Sequence, residues 1–316
     1  ARHGPLGSLV VGVPSAGIPH KSLGHAVLVD GIVGELLAHV SGDGGTYEGD
    51  WVDGEITGEG TATYANGSTY AGGFLKALHH GKGLLSQPDG YRYDGDWVHG
   101  VREGKGRITY PDGSVYEGGM LAGMRAGQGK LTMPDGLVYE GVWAAGQMSG
   151  QGRLVQPSGD IYEGTMVANR REGQGRATYV NGDVYEGGFR ADKRHGKGIF
   201  TGTDGYMYDG DWVDGRMEGA GVIQYPDGSV YEGALKADQP DGKGKITYPD
   251  GSTYEGGWVA GVIQGTGTAT YADEDHPPGT VYGCWSVPRS RRAGSRGSTP
   301  ATCAPSPRRA SSTAMP

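Results

Sequence analysis

Residues 110–119 read YPDGSVYEGG, residues 225–234 read YPDGSVYEGA, and residues 248–257 read YPDGSTYEGG. The three starts lie 115 and then 23 positions apart, and 115 is five times 23, so the spacing asks for copies in between. A search for internal periods supplies them. A Tyr-x-Gly triplet starts at Tyr47, Tyr70, Tyr93, Tyr116, Tyr139, Tyr162, Tyr185, Tyr208, Tyr231 and Tyr254, ten copies at an unbroken step of 23 residues. Each Tyr is followed 11 residues later by Gly-x-Gly, from Gly58/Gly60 to Gly265/Gly267. Asp-Gly or a close relative precedes each Tyr, as in Asp112-Gly113 and Asp227-Gly228.

Each copy reads as two short strands. In the first, Tyr47, Gly49 and Trp51 alternate with Glu48 and Asp50, the period that separates the two faces of a strand. In the second, Gly60, Ala62 and Tyr64 alternate with Thr61 and Thr63. The Ala62 column stays apolar through Leu85, Ile108, Leu131 and Leu154. Tyr-Pro-Asp-Gly suits a type I turn closed by a left-handed glycine. The other connection carries Gly54, Gly100, Gly123, Gly146, Asn169 and Asp192 in one column, residue types that accept positive φ. Ala77 departs from that column, and its loop is expected to differ slightly.

An antiparallel register that pairs Trp51 with Gly60, Gly49 with Ala62 and Tyr47 with Tyr64 lays every large side chain over a position without one. A register two residues away keeps the same faces. The opposite face carries Glu or Asp at the second position of most copies, with Arg107, Lys130, Arg153, Arg176 and Lys245 available for cross-strand pairs. An isolated hairpin is marginal in water, so the copies must bury one another in a solenoid. The expected fold class is all-β: an elongated single-layer solenoid of stacked antiparallel hairpins. Twenty strands at roughly 4.8 Å spacing give a ribbon on the order of 95 Å long before twist.

Composition narrows the function classes. Of 316 residues 64 are Gly, without the three-residue period of collagen, and 19 Tyr stand beside six Trp and only three Phe. The net charge of −8 disfavours a nucleic-acid partner. Cys284 and Cys303 form no CxxC and no disulfide framework, which fits a reducing intracellular compartment. Gly81-Lys82, Gly196-Lys197 and Gly242-Lys243 lack the glycine five residues earlier that a P-loop needs. His79-His80 reads as a loop pair rather than a metal site, and the glutamates recurring in register read as a solvated face rather than paired catalytic carboxylates. No catalytic constellation stands out, and no metal or cofactor is expected.

The unit YEGxW…G…GxGxxxxxDG resembles the MORN repeat (membrane occupation and recognition nexus), over about residues 43–272. The family pattern expects the first-strand aromatics Trp51, Phe74, Trp97, Trp143, Phe189, Trp212 and Trp258. Met120, Met166 and Leu235 depart from it and would mark softer or differently used repeats. Val29-Asp30-Gly31, 23 residues before Val52-Asp53-Gly54, suggests a degenerate cap within residues 1–42. Asp273–Pro278 shifts the phase, and Tyr282-Gly283-Cys284-Trp285 resembles a broken first strand within residues 273–285. Residues 286–316 hold six of the 28 basic residues and none of the 36 acidic ones, a disordered-type Ser/Pro/Arg tail.

The resemblance implies a non-enzymatic scaffold for protein–protein interaction in a cytoskeletal, ciliary or membrane-associated assembly, cytoplasmic or at the cytoplasmic face of a membrane. Its alternatives are the regulatory module of a phosphatidylinositol-phosphate-kinase-like enzyme whose catalytic domain lies outside this chain, and a lipid-binding module. The aromatic stripe Tyr47, Trp51, Tyr93, Trp97, Tyr139, Trp143, Tyr208, Trp212, Tyr254 and Trp258 is at once the core of a thin sheet and the candidate binding surface. Arg289, Arg291, Arg292, Arg296, Arg308 and Arg309 would face an anionic membrane, and self-association is a further partner reading.

Overall fold

The computed structural model describes residues 44–272, together with the backbone of the strands Ser8–Val11, Gly24–Val27, Leu36–Val40 and Thr280–Gly283. Among the described residues there are strands and turns and no helix. The chain forms two compact units, Ala1–Val180 and Asn181–Pro316. Within each unit the hairpins follow in chain order, and each strand pairs antiparallel with the strand before it and the strand after it. Each unit is therefore a single-layer antiparallel sheet built from one repeated hairpin.

The first repeat shows the register. Tyr47 lies opposite Ala62 and Gly49 opposite Gly60, and after a bulge Trp51 lies opposite Ile56 and Val52 opposite Glu55. This corrects the sequence expectation of Gly49 on Ala62 and Tyr47 on Tyr64 by two residues, and that of Trp51 on Gly60 by four, with the faces unchanged. The physical reason is the turn. Asp53 (φ 50°) and Gly54 (φ 81°) are both left-handed, the two-residue type I′ turn whose twist matches the strands. So short a turn holds Val52 opposite Glu55, and the bulge then resets the ladder.

The same turn recurs at Lys76 (φ 50°) and Ala77 (φ 61°), where Ala77 N donates to Ile56 O at 2.8 Å as Gly100 N does to His79 O. The loop expected to differ does not. Ala77 instead holds a conformation that costs an L-residue roughly 1 kcal/mol. Ala77→Gly is expected to raise stability by up to about 1 kcal/mol, measured as a higher urea midpoint; an unchanged or lower midpoint would contradict it. At the long turn Gly113 N donates to Tyr110 O and Tyr110 N to Ser114 O, both at 2.9 Å, as Tyr-Pro-Asp-Gly predicts.

The bulge explains the excess of Tyr over Phe. Between Gly118 and Met120 the ladder shifts, leaving Gly119 without a partner on that side. Its carbonyl accepts the Tyr116 hydroxyl at 2.8 Å. The same bond, Tyr to the carbonyl three residues on, recurs at Tyr47, Tyr70, Tyr93, Tyr139, Tyr162, Tyr185, Tyr208, Tyr231 and Tyr254. Tyr116 is fully buried, so Tyr116→Phe would orphan a carbonyl and is expected to cost about 1–3 kcal/mol. Chemical unfolding checks this, and a midpoint equal to wild type would remove the hydroxyl's role.

Gly-x-Gly divides its labour. The first glycine supplies backbone freedom, as at Gly150 (φ +66°). The second admits the Tyr ring: a Cβ built on Gly152 would lie 2.6 Å from Tyr139 Cζ. Trp143 meets Tyr116 and Tyr139 edge-on, at 5.3 and 5.2 Å between centroids, and its Nε1 donates to Gly129 O at 3.1 Å. Met120, Met166 and Leu235 occupy the Trp column fully buried, so substitution there leaves the core layer filled rather than opened.

On the other face, Arg107 pairs with Glu117, Lys130 Nζ with Glu140 at 3.7 Å, and Arg153 Nε with Glu163 at 3.4 Å. These exposed pairs link consecutive repeats and are worth a few tenths of a kcal/mol each, about 0.2–1. Leu36–Val40 pairs with Gly24–Val27 and with Thr46–Val52, and Thr280–Gly283 pairs with Val262–Tyr271. Val29-Asp30-Gly31, Asp273–Pro278 and the tail 286–316 lie outside the described residues.

Candidate binding groove

The aromatic stripe singled out from sequence is buried. Tyr47, Tyr93, Tyr139, Tyr208 and Tyr254 lie in the core with Trp97, Trp143, Trp212 and Trp258, and Trp51 is half-buried. Burial raises the pKa of the Tyr hydroxyls, that of Tyr47 to about 12. The stripe holds the sheet together, and the column beside it is buried at Ile56 and His79 and half-buried at Arg102, Arg125 and Met148.

That column was missed from sequence: Ile56, His79, Arg102, Arg125, Met148 and Arg171, which lie opposite the Trp column across the bulge. Its residue types vary, so no motif advertises it. The signal that could have found it is parity: counted back from Gly-x-Gly, the column falls on the aromatic face.

In unit 1 this column flanks a cavity of about 790 Å³. The floor is Ala62, Leu85 and Ile108, one apolar residue per repeat. At the long-turn end stand Tyr64, Tyr91 and Tyr110, with Tyr91 and Tyr110 rings 6.1 Å apart. At the short-turn end stand His79, Arg102 and Arg125, with Ala77, Gly100, Gly123 and Gly146 behind them. Trp97 is the member of the predicted stripe that borders the groove.

The cations are held in place. The Arg125 guanidinium lies 4.2 Å from the Trp143 ring centroid, and its Nη2 donates to Gly146 O at 2.7 Å. Arg102 lies over Tyr93 and donates to the Tyr91 hydroxyl. Among the described residues neither arginine forms an ion pair with a carboxylate.

His79 is on the strand Leu78–Ser86, not in a loop as the sequence suggested. It stacks on Tyr70 at 3.6 Å between centroids, and its Nε2 meets Tyr64 Oη at 2.6 Å. Burial pushes its pKa down to about 4. Among the described residues no group of three His, Cys, Asp or Glu gathers to hold a metal ion. With Ala62 and Ile108 buried, what this face offers outward is the π surface of half-buried Tyr91 and Tyr110 and two fixed positive charges.

The MORN repeat profile matches residues 47–69, 70–90, 93–115, 116–138, 139–161, 162–184, 185–205, 208–230, 231–253 and 254–276, well over half of the chain. The chain belongs to the MORN repeat family. MORN repeats point to a repeat module for protein or membrane interaction. Among curated proteins none matches the sequence. Among solved structures, the chain is similar to the Drosophila melanogaster SAS-4 (dCPAP) TCP domain in complex with a proline-rich motif of Ana2 (dSTIL). That match has 17% identity and a TM-score of 0.31, covering 57% of this chain and 88% of the other. It is also similar to the Danio rerio CPAP TCP10 domain in complex with a STIL peptide, with 15% identity, TM-score 0.25 and coverage of 83% and 97%. At such scores nothing about the ligands of those domains transfers to this MORN array.

Proposed function

We propose that this MORN array is a non-enzymatic intracellular scaffold that binds protein partners on its aromatic face and serves a cytoskeletal, ciliary or membrane-associated assembly. The observation that carries the reading is the groove of unit 1, where half-buried Tyr91, Tyr110, Arg102 and Arg125 gather at the surface. Tyr and Arg are the residue types that concentrate binding energy at protein interfaces. The reading is tested with the full chain as bait in native extract, beside the variants Tyr110→Ala and Arg102→Glu. Both residues line the groove and are half-buried, so the fold should survive their replacement. Partners retained by wild type and lost from both variants support it, whereas an identical set of retained proteins would refute it.

The second reading is membrane association through the tail, supported by six arginines and no acid in residues 286–316 against an acidic remainder. Vesicle co-sedimentation with and without the tail separates the two. Salt-sensitive binding lost with the tail assigns the membrane to the arginines, and salt-insensitive binding by the truncated chain would assign it to the sheet. A regulatory role in a phosphoinositide kinase is the rival class, for which gene sequence encoding a kinase domain beyond Pro316 would be decisive.

A further inference from the structure

We propose that the rim of the unit 1 groove binds an acidic segment of a partner protein, its carboxylates meeting Arg102 and Arg125 and its flanking side chains lying on Tyr91 and Tyr110. The inference rests on the protein-binding reading above and specifies the charge of the ligand and the groups that meet it.

The two faces of the unit 1 sheet carry opposite charge. In the described strands from Thr46–Val52 to Arg170–Thr178, the charged side chains on the aromatic face are Arg102, Arg125 and Arg171. Each lies over the Tyr ring of its own repeat, 5.7 Å from the centroid. His79 shares their column but is buried, and with a pKa pushed down to about 4 it is neutral at pH 7. Every carboxylate in those strands falls on the other face by parity, as Glu48, Asp94, Glu117, Glu140 and Glu163 do, each next to a core Tyr. The carboxylates of the long turns are engaged at home: Asp89, Asp112 and Asp135 accept the backbone N–H two residues on at 2.9, 2.8 and 3.0 Å. A chain with 36 acidic and 28 basic residues thus keeps one face whose strand charges are all positive. Such a face draws an acidic partner and the other face repels it, which selects both the ligand and the side it approaches.

The geometry at the rim fits carboxylates. Arg102 donates an N–H to the Tyr91 hydroxyl, and Arg125 Nη2 donates to Gly146 O at 2.7 Å. Those bonds and the rings beneath fix both guanidiniums while leaving further N–H donors on each for a ligand. Neither is paired with a described carboxylate, so an incoming acid displaces no ion pair. Tyr91 and Tyr110 lie 6.1 Å apart and half-buried, and the Tyr110 hydroxyl forms no hydrogen bond among the described residues, so it too can donate to a carboxylate. Ala62 and Ile108 are buried below, and the ligand rests on the rim above them. Arg102 and Arg125 stand one repeat apart, two strand spacings or roughly 9.6 Å, which suits two carboxylates better than one compact anion. A membrane fits less well. The sheet is a single layer about 10 Å thick, little more than the screening length of about 8 Å at physiological salt, so a broad anionic surface also feels the acids behind. A narrow segment seated between the two arginines feels them first. The chain's own tail has six arginines and no acid, so its charge keeps it off this rim.

The test is an anisotropy titration of rhodamine-labelled peptides with the full chain, its tail arginines changed so that the tail takes no acidic probe (Arg289→Gln, and likewise at Arg291, Arg292, Arg296, Arg308 and Arg309). The probe is Glu-Leu-Glu-Gly repeated three times, and the comparison is Gln-Leu-Gln-Gly repeated three times. The first is expected to bind at least about tenfold more tightly. Arg102→Met together with Arg125→Met should weaken the probe at least about tenfold. Arg107→Gln together with Lys130→Gln, which removes the same charge from the opposite face, should change it less than about twofold. Met148 holds the same column in a folded repeat, so the methionine replacements keep the sheet, and the preference for Glu over Gln is read without them. Equal binding of the two peptides would overturn the inference, and so would equal weakening by the two double variants. Vesicles of phosphatidylcholine and phosphatidylserine that displace the probe, and that fail to bind the methionine variant, would reassign the arginines to lipid. If neither peptide binds while extract proteins are still lost from Tyr110→Ala and Arg102→Glu, this inference falls and the scaffold reading stands. If the retained proteins are identical across those variants as well, both fall.

Discussion

Gly152→Val is expected to unfold the array at a temperature at least about 5 °C lower than its neighbour Gln151→Val. Gly152 sits beneath the Tyr139 ring, where a Cβ would lie 2.6 Å from Cζ. The ring has nowhere to go. Tyr139 is fully buried, its hydroxyl donates to Val142 O at 3.0 Å, and the edge of Trp143 abuts it at 5.2 Å between centroids. Either the strands part, breaking the Gly141–Gly152 pairing, or the ring swings into water. Overpacking of this kind costs about 1–3 kcal/mol, and exposing a large side chain about as much again, so about 3 kcal/mol or more is expected. Gln151 is exposed, and valine there loses only a bond from Nε2 to Thr165 Oγ1 while gaining strand propensity. Its effect should stay within about 0.5 kcal/mol. Equal melting temperatures for the two variants would mean that the assigned faces are wrong.

The ring over Gly152 also shows where sequence reasoning stops. The period, the two faces and the turns were legible, because each is written in residue types: Tyr-x-Gly, Gly-x-Gly and Asp-Gly. Register was not, since two registers two residues apart present identical faces. The choice falls to the bulge, and the bulge residue has no signature, being Asp50, Gly73, Asp96, Gly119, Val142 and Thr165 in successive repeats. Trp143 accordingly faces Gly127 of the preceding strand rather than Gly152 of its own hairpin. The short turn hid half of its chemistry for the same reason. Ala122, Ala145 and Ala168 adopt positive φ with no glycine or asparagine to announce it. The groove was hardest to read. Ile56, His79, Arg102 and Arg125 share only a position, and a column that varies in type is invisible to a search for repeated residues. Variation inside an otherwise fixed frame is also what lets one repeat present a different surface from the next.

His79 is expected to make the stability of unit 1 depend on pH between about 6.5 and 4. Its exposure is 8%, with Tyr70 stacked on one face at 3.6 Å and Trp97 edge-on at 4.7 Å. Tyr64 Oη lies 2.6 Å from Nε2. No carboxylate forms an ion pair with it among the described residues, and burial lowers its pKa from 6.5 to about 4. In that window the unfolded chain binds a proton that the folded chain refuses, so acidification favours unfolding. The stability is therefore fully present above pH 6.5 and is lost as pH falls to about 4. At 1.36 kcal/mol per pKa unit the loss is on the order of 3 kcal/mol, less whatever the Tyr70 ring face returns by attracting the cation. The carboxylates held below their usual range, Asp96, Asp112, Asp183, Asp211 and Asp214, lose their contribution only below about 3.8, so the two effects separate on the pH axis. His79→Met, which follows Met148 in the same column, removes the titrating group and keeps an apolar side chain of similar reach. Urea unfolding at pH 7.5 and pH 4.5 decides the matter: wild type should lose about 2 kcal/mol or more beyond the loss in His79→Met. Parallel losses in the two proteins would mean that the imidazole titrates normally and that the ring packing around it opens readily to water.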